Sequence, residues 1–291
     1  MSRARPGAAL GRPGAGRYNP RMQSHRYLPE VSRVSVLMAA ILLAFALTRV
    51  LQAPDLNLSL PLPGVVLALT LNLNTAIAVL AAGITATGMD WLLRTHPSLE
   101  PGESREHWLL PTLTVLVIGI ALDTLPANAA WWLGFGVGGL LLLVVFLAEY
   151  VVVDPSDVRY PLAAAALTAL AFAMFLILAV ALRAANARLF LVLPALFLAG
   201  GLVALRTLHL RLNERWELNW AVGIGVVTVQ LGAALHYWPL APVAFGLALL
   251  GPVYALTGLA VGVSEGNPFQ RAWVEPVVML AIFWGLAVWF R

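Results

Sequence analysis

Long stretches without a charged residue recur along this chain. The longest runs for 47 residues, from Leu218 to Ser264, without an Asp, Glu, Lys or Arg. A helix needs about 20 apolar residues to cross the hydrocarbon core of a bilayer, so this stretch holds two such helices and a short turn. Similar stretches occupy Leu56–Met89, Thr124–Ala148 and Pro161–Leu182. The pattern predicts a protein that lies mostly within a membrane.

Turn residues divide the apolar stretches into about nine transmembrane helices, which predicts an all-α bundle. Residues 34–291 then form one polytopic transmembrane domain, and residues 1–33 precede it as an Arg-rich tail. The predicted spans are Val34–Ala53, Asn74–Leu93, Trp108–Leu125, Trp131–Val153, Pro161–Arg183, Arg188–Thr207, Leu218–Trp238, Ala241–Val263 and Ala272–Phe290.

The segment between the first two spans has a different period. In Leu56–Leu62 and Leu67–Asn74, leucine occupies every second position on either side of a Pro63-Gly64 turn signal. This alternation predicts a small β-hairpin outside the hydrocarbon core. The alternative is a Pro-broken tenth span or a re-entrant segment, which would reverse the sidedness of every later loop.

Composition excludes several classes of protein. Hydrophobic residues make up 60% of the chain and charged residues 11%, whereas soluble domains have about half and about a quarter. All 18 basic residues are Arg, and there is no Cys. Without a lysine amine or a thiolate, Schiff-base cofactors, disulfides and iron-sulfur clusters are excluded. No HExxH motif or paired helical His is present either, so we expect no cofactor and no metal.

The distribution of Arg predicts the orientation. With a cytoplasmic amino terminus, 14 Arg lie on the inner side and four, Arg49, Arg183, Arg188 and Arg291, on the outer side, as the positive-inside rule requires. Seven of the 14 lie in the first 33 residues, beside the single acid Glu30. We interpret that segment as a disordered cytoplasmic tail that touches anionic lipids and binds no nucleic acid. The predicted location is a bacterial inner membrane, with membrane lipids as partners and further membrane-protein subunits left open.

Ionisable residues fall near the ends of the predicted spans, where they mark either a site or interfacial ion pairs that fix helix register. Those at the inner ends could form a charged cluster that caps a cavity: Asp90, Arg94, Glu149, Arg206, His209 and Glu275. The outer-face candidates are Asp123, Arg183, His236 and Tyr237. Nearer the midplane, Gln230 and the helix-breaking Pro252 are the candidates for lining a cavity.

Two acidic pairs with equal spacing lie on inner loops and support an alternative function. Asp154 and Asp157 follow the fourth span, and Glu214 and Glu217 follow the sixth. Carboxylate oxygens in such pairs can hold Mg²⁺ against a diphosphate, which would suit an intramembrane transferase acting on a lipid diphosphate. An Asp-Pro-Ser-Asp sequence is also ordinary turn chemistry.

Two stretches, Thr87–Pro97 and Leu235–Pro242, resemble segments of an uncharacterised family of bacterial polytopic membrane proteins. The resemblance covers spans two to nine, leaves out the tail, and implies a fold without an assigned activity. It makes Asp90, Arg94, His96, His236 and Tyr237 the first residues to test.

The leading hypothesis is a non-catalytic carrier or binding protein for a lipid-like or small neutral molecule, or a membrane scaffold subunit. The alternative is the Mg²⁺-dependent transferase.

Overall fold

The computed structural model describes residues 29–51, 54, 56–62, 65–99, 107–212 and 215–291. Most of the predicted tail, the Pro63-Gly64 turn and Glu214 lie outside the described residues. In the segment from 56 to 71 only the backbone is described.

The described chain forms a bundle of apolar α-helices, which confirms the predicted fold class. Helix α9 is a single turn that leads into α10, and the two are separated only at Trp273. The helices are α1 (Val31–Val50), α2 (Leu73–Leu93), α3 (Leu109–Thr124), α4 (Ala129–Val152), α5 (Tyr160–Ala184), α6 (Leu189–Arg211), α7 (Leu218–His236), α8 (Pro242–Ser264), α9 (Phe269–Ala272) and α10 (Val274–Trp289).

Within the described residues, eight segments are long and apolar enough to cross a membrane, the last of them Gln270–Trp289 across α9 and α10. The remaining predicted span, Trp108–Leu125, corresponds to α3, which has 16 residues. At 1.5 Å per residue it rises about 24 Å, less than a hydrocarbon core of about 30 Å. The protein is therefore a multi-pass membrane protein in which α3 is a short, central helix.

The predicted hairpin is present. Strands β1 (Leu56–Leu62) and β2 (Val65–Leu71) pair antiparallel, and the register sets Leu58 opposite Leu69 and Leu60 opposite Leu67. The second strand ends three residues earlier than predicted. The reason is a helix cap, since the Asn72 side chain accepts a hydrogen bond of 2.8 Å from the Thr75 backbone N–H and starts α2.

Two apolar cores hold the bundle together, and α3 contributes to both. One core is built from residues of the four helices α1, α2, α3 and α4 and contains Ile41, Leu92 and Phe146. The other is built mainly by α3 to α8 and contains Leu167 and Phe175. Because α3 is surrounded by other helices, its short length does not leave its ends in lipid.

We name the two ends of the bundle after the elements found there. At the tail end, where α1 begins, Arg33 Nη1 donates a 2.8 Å hydrogen bond to the carbonyl of Trp91 near the end of α2. At the hairpin end, where α1 stops, the Arg49 guanidinium lies 4.6 Å from the centroid of the Trp131 ring at the start of α4. These contacts align the antiparallel helices.

Candidate functional site

Near the tail end, three ionisable side chains from distant parts of the sequence meet inside the bundle. Arg206 of α6 donates from Nε to Glu149 Oε1 of α4 at 3.3 Å, and a second, shorter bond joins Arg206 Nη2 to Glu149 Oε2. His107, just before α3, places Nδ1 2.9 Å from Glu149 Oε2. The side chains of Arg206, Glu149 and His107 are 2%, 0% and 5% exposed. We call these residues the buried triad.

The buried triad links three chain segments by charge-assisted hydrogen bonds. Charged groups removed from water are tolerated only with such partners, and removal of one partner leaves an uncompensated charge. The Nη1 atom of Arg206 is also buried and has no hydrogen-bond partner among the described residues. Sequence reasoning identified Glu149 and Arg206 but missed His107, which lies 42 and 99 residues from them. No local pattern records that proximity.

The other candidates from the inner-end cluster do not join the triad. Asp90 and Arg94 pair with each other one helical turn apart at 2.6 Å, with side chains 36% and 73% exposed. The buried ring of His209 stacks on Trp216 with a centroid distance of 4.4 Å. The predicted cluster is therefore divided, with only Glu149 and Arg206 in the buried triad.

Glu275 belongs instead to a cavity of about 330 Å³ at the same end, which we call the tail-end cavity. It lies where α5, α6, α8, α9 and α10 meet. Its polar and charged lining residues are Thr207, Arg211, Tyr254, Thr257, Glu265, Asn267, Arg271 and Glu275. Its apolar lining residues include Phe172, Val261 and Pro276.

The tail-end cavity has a gradient of polarity. Thr207, Thr257 and Val261 are at most 4% exposed, whereas the charged lining residues are exposed. The Thr207 hydroxyl is buried and has no hydrogen-bond partner among the described residues. A buried hydroxyl without a partner is costly unless a bound molecule satisfies it. Sequence reasoning missed Thr207, because a single Thr at the end of a span carries no distinguishing signal.

His96 lies in the connection after α2 and packs edge-on against the Tyr150 ring, with centroids 4.8 Å apart. Burial lowers the pKa of His96 below its ordinary value of 6.5, and the nearby charges of Asp154 and Asp157 oppose that shift. The imidazole is therefore more strongly held in its neutral form than a solvated histidine.

Two of the acidic loop residues are engaged within their own turn. Asp154 Oδ1 accepts from the Ser156 N–H at 2.9 Å, and Asp157 pairs with Arg159 at 2.7 Å. The hydrogen bond that Arg159 donates to the Asp157 carboxylate raises the pKa of Arg159. In the part of the chain that the structure describes, no three His, Asp or Glu side chains are arranged to hold a metal ion. Glu214 lies outside the described residues, so the structure does not show the four carboxylates of the transferase hypothesis together.

At the hairpin end, the outer-face candidates fall into two places. Asp123 accepts a short hydrogen bond from the Asn74 side chain and, with Arg49, lines a small cavity of about 30 Å³. Arg183, His236 and Tyr237 line a separate cavity of about 350 Å³, which we call the hairpin-end cavity.

The two midplane candidates do not line any of these three cavities. Gln230 is exposed on α7, and Pro252 is buried in α8. A side chain on the neighbouring Gly251 would begin 3.1 Å from Phe283 Cβ of α10, so the helices pack closely there. The cavities open instead toward the two ends of the bundle.

One protein-family model covers most of the chain. A model described as "Protein of unknown function (DUF5656)" matches residues 53–290. The chain belongs to this family. The match starts after α1 and confirms the resemblance to an uncharacterised family that covers spans two to nine. No curated protein and no solved structure matches the chain.

Proposed function

We propose that this protein is a non-catalytic membrane carrier or binding protein for a lipid-like or other small molecule without net charge, held in the tail-end cavity. The observation that carries the proposal is Thr207, which lines a cavity of about 330 Å³ and whose buried hydroxyl has no hydrogen-bond partner among the described residues. That volume lies at the lower end of the range for small-molecule sites, about 300 to 1,000 Å³.

The lining favours an amphiphile. Phe172 and Tyr254 provide aromatic surface, with ring centroids 5.0 Å apart, and the charged side chains lie at the exposed margin. A molecule with an apolar body and a polar head satisfies both regions, because each part meets surface of its own kind.

The charges at the margin favour a ligand without net charge. Arg211 and Arg271 are balanced by Glu265 and Glu275. A zwitterionic or uncharged hydrogen-bonding head meets complementary groups of both signs, whereas an anion or a cation meets repulsion from half of them. Thr207 lines the same cavity, and a hydroxyl can both donate and accept a hydrogen bond.

Native mass spectrometry of the full chain, with short-chain phosphatidylethanolamine as the probe, tests this proposal. Gly258 lines the tail-end cavity, so Gly258→Leu is designed to fill it. A Cβ at this position would lie at an ordinary contact distance, 3.5 Å, from Pro276 Cγ, so the change causes no clash there. The matched control is Gly223→Leu on α7, where a Cβ would have nothing within 4 Å. We expect Gly258→Leu to lose bound probe and Gly223→Leu to retain it.

A second variant removes the hydroxyl without filling the space. Thr207→Val keeps the shape of the side chain, and we expect weaker retention of the probe with an unfolding temperature equal to or higher than that of wild type, because an unsatisfied buried hydroxyl is removed. Equal retention by wild type, Gly258→Leu and Thr207→Val would overturn the proposal.

The scaffold hypothesis is favoured by a different observation. Pro276 and Ala287 are the buried residues of α10, so most of this helix faces lipid or another subunit. The same spectra can distinguish the two hypotheses. The scaffold is favoured over the carrier if phosphatidylethanolamine fails to bind wild type and a stoichiometric protein partner is present. That partner should be lost in Val278→Arg, a change in α10.

We further propose that the chain lies in a bacterial inner membrane with the tail end toward the cytoplasm. The distribution of 14 and four Arg supports this orientation. Because the chain has no Cys, single cysteines give unambiguous labelling. In intact cells a membrane-impermeant maleimide should label Ala185→Cys and not Gln270→Cys, and the reverse result would invert the topology.

A further inference from the structure

The hairpin-end cavity has a different charge character from the tail-end cavity. It encloses about 350 Å³ between the ends of α5, α6, α7 and α8. Arg183, Arg188 and His236 line it, and its described lining contains no Asp or Glu. We propose that this cavity binds an anionic phosphate or carboxylate group, carried by a lipid or free in solution.

Among the described residues, the Arg183 guanidinium is held by carbonyl oxygens and not by a carboxylate. Its Nη1 donates to the carbonyl of His236 at 2.7 Å, Nη2 to that of Trp238 at 2.8 Å and Nε to that of Leu240 at 3.3 Å. These carbonyl oxygens carry no formal charge, so the guanidinium has hydrogen-bond partners here but no counter-ion. The three bonds also fix its position, which lowers the entropy cost of recognising an anion.

A tight turn brings the second cation to the same cavity. Helices α5 and α6 are joined through Asn186, which has a φ of 49°. Asn tolerates this left-handed conformation better than most residues. The turn places Arg188 at the N-cap of α6, five residues after Arg183 and on the opposite side of the connection. The first backbone N–H groups of α6 add a positive partial charge at this position.

Apolar residues complete the wall. Leu182, Val192 and Phe245 are 8%, 2% and 1% exposed, and they line the cavity next to the cations. The Arg183 guanidinium lies 5.6 Å from the centroid of the Phe245 ring. Cations beside buried apolar surface suit the headgroup and first methylene groups of an anionic amphiphile.

Arg188 is the residue to vary, because it is exposed and its replacement does not remove the carbonyl contacts that Arg183 makes. The matched control is Arg291→Gln, the same change at an exposed position of the same end. The probe is phosphatidylglycerol, compared with phosphatidylethanolamine of the same acyl chains, and binding to the detergent-solubilised full chain is measured by native mass spectrometry.

With the tail-end cavity filled by Gly258→Leu, we expect the chain to prefer phosphatidylglycerol. We expect Arg188→Gln to bind phosphatidylglycerol about tenfold more weakly than wild type does, as the loss of one charge-assisted hydrogen bond implies. Arg291→Gln should bind like wild type. Gly258→Leu, which fills the tail-end cavity, should also retain phosphatidylglycerol, so this result is independent of the proposed function.

Competition with inorganic phosphate separates the two sources of the anion. Displacement of phosphatidylglycerol by phosphate would support a site for the anionic group alone, and retention would support a lipid site. Equal affinity of Gly258→Leu for the two lipids, or equal loss in Arg188→Gln and Arg291→Gln, would overturn the proposal. Unfolding temperatures of all variants, measured alongside, identify any loss that is due to misfolding.

Discussion

The indole nitrogen of Trp284 in α10 donates a 3.2 Å hydrogen bond to the carbonyl oxygen of Ala248 in α8. In an uninterrupted helix this carbonyl would accept from the N–H four residues later, at position 252. Pro252 has no N–H. Trp284 therefore satisfies a backbone group that the proline leaves open, in a setting where water is scarce.

This relationship predicts a coupling between two substitutions. Trp284→Phe should lower the free energy of unfolding by about 1 kcal/mol, the usual net value of one hydrogen bond. In a Pro252→Ala background the helix can form its own bond, so the same change should cost clearly less. Thermal unfolding in detergent measures both costs, with Trp289→Phe on the same helix as the control. Equal costs in the two backgrounds would contradict this assignment.

The buried triad predicts a non-additive pair. Glu149→Leu or Arg206→Leu alone leaves one buried charge without its partner and should cost about 3 to 5 kcal/mol, seen as a large fall in unfolding temperature. The double variant removes both charges and should recover much of that loss. For comparison, Asp90→Asn in the exposed pair should cost less than about 1 kcal/mol. A double variant as unstable as the sum of the singles would show that the triad contributes more than charge compensation.

Stability should depend on the protonation of His96. Its pKa is lowered in the folded state below 6.5, so the folded protein binds fewer protons at this group than the unfolded chain. Stability is therefore retained above about pH 6.5 and falls as the pH drops toward the folded pKa. His96→Gln should reduce the change in unfolding temperature between about pH 7.5 and pH 5.5. An unchanged pH dependence would exclude His96 as its source.

Close packing between α3 and α4 predicts opposite effects for two neighbouring glycines. A Cβ on Gly138 would lie 2.9 Å from Ile118 Cγ2, whereas a Cβ on Gly136 would have nothing within 4 Å. Gly136→Ala should raise stability slightly, by up to about 1 kcal/mol, through helix propensity. Gly138→Ala should lower stability, because Ile118 must move. Thermal unfolding of the two variants, side by side, measures the difference, and equal shifts would argue against a close approach of these helices.

The helices and the hairpin could be predicted from the sequence because the local pattern specifies them. Uncharged length predicted the long spans, and the period-two alternation of Leu56–Leu62 predicted β1. The boundary between β2 and α2 was placed too late, since alternation continues through Asn72 and Asn74 although the Asn72 cap already starts the helix. A cap of this kind depends on one side-chain hydrogen bond, which the hydrophobic pattern does not record.

The candidate sites were harder to predict for the same reason. Sequence position placed Glu149, Arg206, Asp90 and Glu275 at one level of the bundle, but level alone does not specify which helices are neighbours. The structure separates an exposed pair, a buried triad and a cavity among them. His107 lies just before the predicted span Trp108–Leu125, and its contact with Glu149 became visible only in three dimensions.

The amino-acid sequence by itself determined that most of this protein lies in lipid. The transfer of an apolar segment into a bilayer depends on the composition and length of that segment and not on which helices pack beside it. It also determined where polar groups are tolerated along each span. Only the tertiary structure decided which charges meet, which hydroxyl lacks a partner and where the bundle encloses space. Those properties arise from contacts between residues tens of positions apart, and such contacts depend on how the helices pack.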